Sequence, residues 1–178
     1  PGEDKLTLSV EMIINNEGKV IDYKIFESIM NNRYRMTYED VTDILENNNE
    51  ELIEKYKDIV PMLKTMEELS LILRRKRDLR GAIDFEFPER KIITDEEGRA
   101  IDVTKYERRT SNKIIEEFML VCNETVAEHY YWLNMPFVYR VHEDPDEEKM
   151  YEFSKFIHNF GYTLKGNDIH PKELQQLL

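Results

Sequence analysis

Covalent and metal staples are nearly absent from this 178-residue sequence: it has one cysteine, four histidines, one tryptophan and six glycines. A lone cysteine, Cys122, excludes an internal disulfide. Its neighbours Met119, Leu120 and Val121 make it read as a small buried hydrophobe rather than a nucleophile. Such sparing cysteine use fits a reducing compartment, so a cytoplasmic location is expected. His129, His142, His158 and His170 show no metal-ligand spacing. No apolar run approaches the roughly 20 residues that cross a bilayer, so no membrane partner is expected. No signal peptide opens the chain, and no glycine-rich phosphate loop occurs. The acidic stretch Asp144-Pro145-Asp146-Glu147-Glu148 lacks the glycine and ligand pattern of a calcium loop and reads as a helix start. Positive charge is also scarce. Lysine and arginine number 25 against 37 acidic residues, a net charge of −12, the opposite of the basic stripe that marks most nucleic-acid-binding domains.

Apolar periodicity nevertheless runs through almost the whole chain, which points to a globular α+β fold rather than disorder. Leu6 to Ile14 alternates as a strand, Asn15-Asn16-Glu17-Gly18 is a turn signal, and Val20 to Ile29 returns as a second strand. Thr37 and Asp40 form a capping-box pattern that opens a short helix to about Glu46. Glu50 to Arg80 has long helical periodicity, with a kink or restart expected at Pro61. Gly81 fits a C′ stop. Arg74, Arg75, Lys76, Arg77 and Arg80 crowd the last turns, where cations suit the helix dipole; the same cluster is a candidate lining for a nucleic-acid channel. Ala82 to Phe87, Lys91 to Thr94 and Ala100 to Val103 read as strands, with a second hairpin turn at Asp95-Glu96-Glu97-Gly98. A long helix is expected over Ser111 to Leu133, a short strand over Phe137 to Val141, and a helix from Asp144-Pro145 to about Asn159, stopped by Gly161. Pro171 opens a last helix that runs off the chain end. The start at Pro1-Gly2, with a strand following at once, suggests a piece cut from something larger.

The helix over Ser111 to Leu133 carries the most local information. At about 100° per residue, Glu117, Glu124 and Glu128 fall in one narrow sector, the expected water-facing stripe. Ile114, Ile115, Phe118, Met119, Val121, Cys122 and Val126 fill the broad opposite arc. Glu116 and Asn123 lie together elsewhere, among Leu120, Ala127 and Tyr130, so both polar groups should border the core. An unpaired buried carboxylate is costly, so Glu116 needs a specific partner, either a structural arginine or a ligand hydroxyl. From the wheel alone the arginine is favoured.

Seven strings, in order and without a large gap, resemble the central part of the RNB catalytic domain of ribonucleases R and II, and ribonuclease R more closely. They are Pro1-Gly2-Glu3-Asp4-Lys5-Leu6; Asp22-Tyr23 to Phe26-Glu27-Ser28; Arg35-Met36-Thr37-Tyr38; Arg80-Gly81-Ala82-Ile83-Asp84-Phe85; Lys113-Ile114-Ile115-Glu116-Glu117-Phe118-Met119; Asn123-Glu124-Thr125-Val126-Ala127; and Pro136-Phe137-Val138-Tyr139-Arg140-Val141-His142-Glu143. The resemblance covers essentially the whole chain. It implies an incomplete RNB catalytic-domain fold over residues 1–178, with antiparallel hairpins and long helices. The implied activity is 3′→5′ exoribonuclease hydrolysis of RNA, releasing 5′-mononucleotides.

The family's chemistry uses Mg²⁺ bound by an aspartate cluster and a phosphate-contacting arginine. The aspartate motif belongs upstream of Pro1 and the arginine motif downstream of Leu178. No catalytic or metal-ligating residue is therefore expected here, no metal is expected in this chain alone, and the chain by itself should be inactive. The resemblance does assign substrate contacts. Tyr38 matches a tyrosine near the scissile RNA end, and Glu116 a glutamate that selects ribose over deoxyribose. Phe85 matches an aromatic that stacks on bases, with Phe87 its neighbour on the same strand face. Asn123, Arg77 and Arg80 are further candidates for the RNA channel. Single-stranded RNA is the expected partner, gripped also by separate small β-barrel domains in the family, which accommodates an acidic catalytic segment. Surfaces bared in an isolated chain are expected to drive self-association. The rival reading is a non-catalytic RNA-binding or regulatory module, and a third is a purely structural acidic domain.

Overall fold

The computed structural model describes residues 1–84, 90–105, 107–141, 143–164 and 171–177. Phe85, Phe87, His142 and His170 lie outside these described residues, as does most of the strand expected over Ala82 to Phe87. Its described part, Ala82 to Asp84, is not a strand. The chain forms two compact units. The first comprises Pro1–Arg74 and Phe85–Asn123, the second Arg75–Asp84 and Glu124–Leu178.

Two hairpins belong to the first unit. β1 (Asp4–Ile14) pairs antiparallel with β2 (Val20–Asn31), and β3 (Arg90–Thr94) with β4 (Ala100–Lys105). Their turns share one design. The side chain of Asn15 accepts from the amides of Glu17 and Lys19, and that of Asp95 from the amides of Glu97 and Arg99. Gly18 and Gly98 follow at φ 76° and 79°, a left-handed geometry that costs glycine nothing. The Cα register shifts by one residue beside each turn, as a bulged hairpin requires.

Alternation sorts β1–β2 into two faces. Thr7, Ser9 and Ser28 join hydroxyls on one. The other carries Leu6 opposite Ile29, Leu8 opposite Glu27, Val10 opposite Ile25 and Met12 opposite Tyr23. At its open end Leu6 and Leu8 are 89% and 78% exposed, so this apolar face is largely uncovered. Two strands alone are marginal in water without such cover.

The core of the first unit is helical. α1 (Tyr38–Leu45) starts where Thr37 Oγ1 accepts from the Asp40 amide, as the capping pattern predicts. α2 (Glu50–Lys55) is capped by Asn49. The chain then breaks over residues 56–59 and restarts as α3 (Val60–Arg80), with Pro61 in its first turn, where a missing N–H is harmless. Ile44, Tyr56, Val60 and Leu63 form the buried cluster, flanked by Tyr34, Met36, Leu52 and Met66.

α4 (Thr110–Trp132) corrects the helical-wheel reading. Its buried residues are Ser111, Ile114, Glu117, Val121 and Thr125, while Ile115 and Met119 are exposed. Glu117, expected in water, is 4% exposed, with Arg74 Nη1 of α3 3.8 Å from its carboxylate. A hydrophobicity wheel puts a glutamate outside by default. Here an arginine on the facing helix lets the charge face inward. Glu124 and Glu128 are exposed as expected. Asn123 is exposed as well, not bordering the core, and Cys122 is half-buried.

In the second unit, α3 ends in a Schellman motif: the Gly81 amide donates to the Asp78 carbonyl and the Ala82 amide to the Arg77 carbonyl. Gly81 has φ 100°, and a Cβ there would meet the Lys172 amide nitrogen at 2.8 Å. α4 closes the same way on Asn134 at φ 51°, and α5 (Glu147–His158) on Gly161. α5 begins later than expected. Asp146, whose side chain accepts from the Lys149 amide, is the N-cap and outcompetes Pro145 as the start signal. Residues 137–141 are not a strand. Their aromatic rings stack instead, Phe137 on Tyr130 at 4.7 Å and against Tyr139 at 5.2 Å. α6 (Pro171–Gln175) is only five residues and stops short of the chain end. Among the described residues no helix is long and apolar enough to cross a membrane.

Truncating Ile44, which is 1% exposed, to alanine should cost about 2–4 kcal/mol in urea unfolding. A loss below about 1 kcal/mol would show that this cluster is not the core.

Candidate functional site

Tyr38 and Glu116 both belong to the first unit and are tied to the start of α4. Ser111, 2% exposed, donates from Oγ to the Tyr38 carbonyl at 2.9 Å and shares a 2.8 Å hydrogen bond with Thr42 Oγ1. The backbone of Tyr38 is therefore fixed from inside, while the residue as a whole remains 44% exposed. The first amides of α4 are satisfied twice. Asn112 Oδ1 accepts from the Arg109 amide, and Glu46 Oε1, from the end of α1, accepts from the Thr110 amide at 3.1 Å. A carboxylate at a helix N-terminus is favoured by the dipole as well as by the hydrogen bond. Hydrogen bonds from Thr110 hold the Glu46 carboxyl below its usual value, against a smaller opposing effect of desolvation.

Glu116 sits five residues into α4 from Ser111. Arg108, just before the helix, forks onto its carboxylate: Nη2 lies 2.8 Å from Oε1 and 2.7 Å from Oε2, and Nε 3.0 Å from Oε2. Both side chains are about one-third exposed. The partner demanded by the sequence is thus an arginine, and the carboxylate is also partly open to solvent.

Tyr38 and Ser111 also line an apolar groove of about 570 Å³ with Met36, Met62, Met66 and Ile114, and Arg33 and Arg35 line it as well. Arg33 Nη1 pairs with Asp58 at 2.9 Å, and the Tyr34 hydroxyl donates to the same carboxylate. That hydrogen bond raises the Tyr34 hydroxyl above its ordinary value. Sequence reasoning missed this groove, because Met36 comes from the segment before α1, Met62 and Met66 from α3, and Ile114 from α4.

The other candidates are dispersed. Asn123 is an exposed residue of α4. Arg80, in the second unit, pairs with Glu124 at 2.7 Å. Arg77 is half-buried, its carbonyl closing the end of α3. Phe85 lies outside the described residues. No three histidine, cysteine, aspartate or glutamate side chains gather in a metal-binding arrangement among the described residues. These residues do not fit a Mg²⁺ site.

Tyr38, at the start of α1, and Glu116, within α4, are both partly exposed, and the groove beside Tyr38 is not lined by Glu116. The RNB domain matches residues 1–178. Ribonuclease R of Thermotoga maritima is 40% identical over 99% of this chain, which covers 25% of that protein. Ribonuclease R 1 of Lactococcus lactis is 41% identical over the whole chain, which covers 22% of it. The structure of Mycoplasma genitalium RNase R in complex with ribose methylated single-stranded RNA superposes with a TM-score of 0.85 at 22% identity, over 99% of this chain and 28% of that one. The chain belongs to the RNB-domain family, and it spans about a quarter of the length of the relatives it matches.

The Glu46 cap carries a pH signature. A carboxyl held low in the folded state contributes stability above its unfolded value, about 4.3, and loses it as pH falls through the folded value. Glu46→Gln should therefore lower the melting temperature at neutral pH, and the gap to the parent should close below about pH 4. Melting curves across that range check this; a gap independent of pH would contradict it.

Proposed function

We propose that this chain forms part of the RNA channel of a cytoplasmic 3′→5′ exoribonuclease that hydrolyses RNA to 5′-mononucleotides. The rest of the longer enzyme supplies the Mg²⁺-binding aspartates and the phosphate-contacting arginine, and the chain alone is inactive. The observation that carries this reading is Glu116, a partly exposed carboxylate held in a fixed plane, in an RNB-family chain. A carboxylate accepts hydrogen bonds from ribose 2′- and 3′-hydroxyls, and the 2′-hydroxyl is what distinguishes RNA from DNA.

The other residues take supporting roles. Tyr38, partly exposed, meets the terminal nucleotide. Phe85 stacks on bases, an interaction that tolerates any sequence. Asn123, Arg77 and Arg80 contribute to the channel wall. Single-stranded RNA is the partner, as in the Mycoplasma genitalium RNase R complex. The net charge of −12 is compatible because separate β-barrel domains share the gripping of RNA. In isolation the chain self-associates through the uncovered face of β1–β2, where Leu6, Leu8 and Ile29 are exposed.

Removing a hydrogen bond to a charged group costs about 1.5–3 kcal/mol. In the full-length enzyme, Glu116→Ala should thus reduce discrimination against DNA roughly 10- to 100-fold. Competition between matched RNA and DNA oligonucleotides measures it, and unchanged selectivity would refute the assignment. Phe85→Ala should weaken binding of short single strands by about 1–3 kcal/mol; unaltered affinity would remove stacking from the account.

A further inference from the structure

We propose that Arg108 is a positioning residue for Glu116, and that its guanidinium sets the direction in which the carboxylate presents oxygens to ribose hydroxyls. The inference rests on the reading of Glu116 given above. A glutamate on a helix has three side-chain torsions, and the last is broad and nearly unrestrained. Three N–H···O contacts of 2.7–3.0 Å from one planar group remove that freedom, because the fork and the carboxylate must share a plane.

The arginine is itself well anchored. It stands two residues before α4, and the three residues after it are held in turn: the Arg109 amide by Asn112, the Thr110 amide by Glu46 and the Ser111 hydroxyl against Tyr38. Partial burial of both partners sets this pair apart from freely solvated pairs such as Lys57 with Glu54. A role in stability alone would require only a cation near the carboxylate. Setting its orientation requires the two-point fork.

Arg108→Lys in the full-length enzyme separates these roles, because lysine supplies the charge at a single point. The variant should melt within a few degrees of the parent. It should discriminate RNA from the same oligonucleotide ending in 2′-deoxynucleotides roughly tenfold less well, because kcat/KM falls more on RNA than on the deoxy substrate, which keeps only the 3′-hydroxyl. Paired with Glu116→Ala, it should add no further loss of selectivity. Should the lysine variant not fold, Arg108→Gln, which donates through its amide without the charge, still reads the coupling through its pairing with Glu116→Ala. Parental selectivity in Arg108→Lys, or additive losses in the pair, would overturn the positioning role while leaving that of Glu116. Full selectivity in Glu116→Ala would overturn both.

Discussion

A buried hydroxyl at the start of α4 is the constraint on which the first unit depends. Ser111 is bonded to Thr42 and to the Tyr38 carbonyl, and the preceding Thr110 amide is capped by Glu46. Each such bond contributes only about 1 kcal/mol net, but an unmet buried group costs about 1–3 kcal/mol. Misplacing α4 would strand several of them together. Among the described residues no buried side-chain nitrogen or oxygen lacks a partner. The junction thus fixes where Tyr38 leaves the backbone, and where Arg108 and Glu116 stand on either side of the helix start.

Arginine pairs hold several glutamates of α4. Within the first unit Arg74 faces the buried Glu117, and Arg108 forks onto Glu116. Within the second, Arg80 pairs with Glu124. Two residues of the cluster that reads in sequence as a basic patch are therefore matched to glutamates of α4. Exposed pairs of this kind add little stability. Around the half-shielded Glu116, and more so around the buried Glu117, the cation instead decides which way a glutamate can face.

What was legible in the sequence was local. Asn15 to Gly18, Thr37 with Asp40, Gly81 and Gly161 each announce a turn, cap or stop through short-range hydrogen bonds, and those features stand where the residues place them. Partners distant in sequence were not legible. Glu117 points inward because Arg74 lies across from it, and no wheel of α4 alone contains that arginine. Residues 137–141 alternate like a strand but form none, their rings packing on Tyr130. The need for a partner at Glu116 followed from its place on the helix. That the partner is Arg108, eight residues back, required the structure. The groove beside Tyr38 was invisible for the same reason as Glu117: its walls come from distant elements.

On the proposed reading, substrate-reading groups reside in this chain and the hydrolytic ions elsewhere in the longer enzyme. The most direct test is to incubate the purified chain, free of contaminating nucleases, with a 3′-hydroxyl oligoribonucleotide and magnesium, and to follow its length on a sequencing gel. An oligonucleotide of unchanged length is expected. Stepwise shortening from the 3′ end, abolished by chelation, would contradict it.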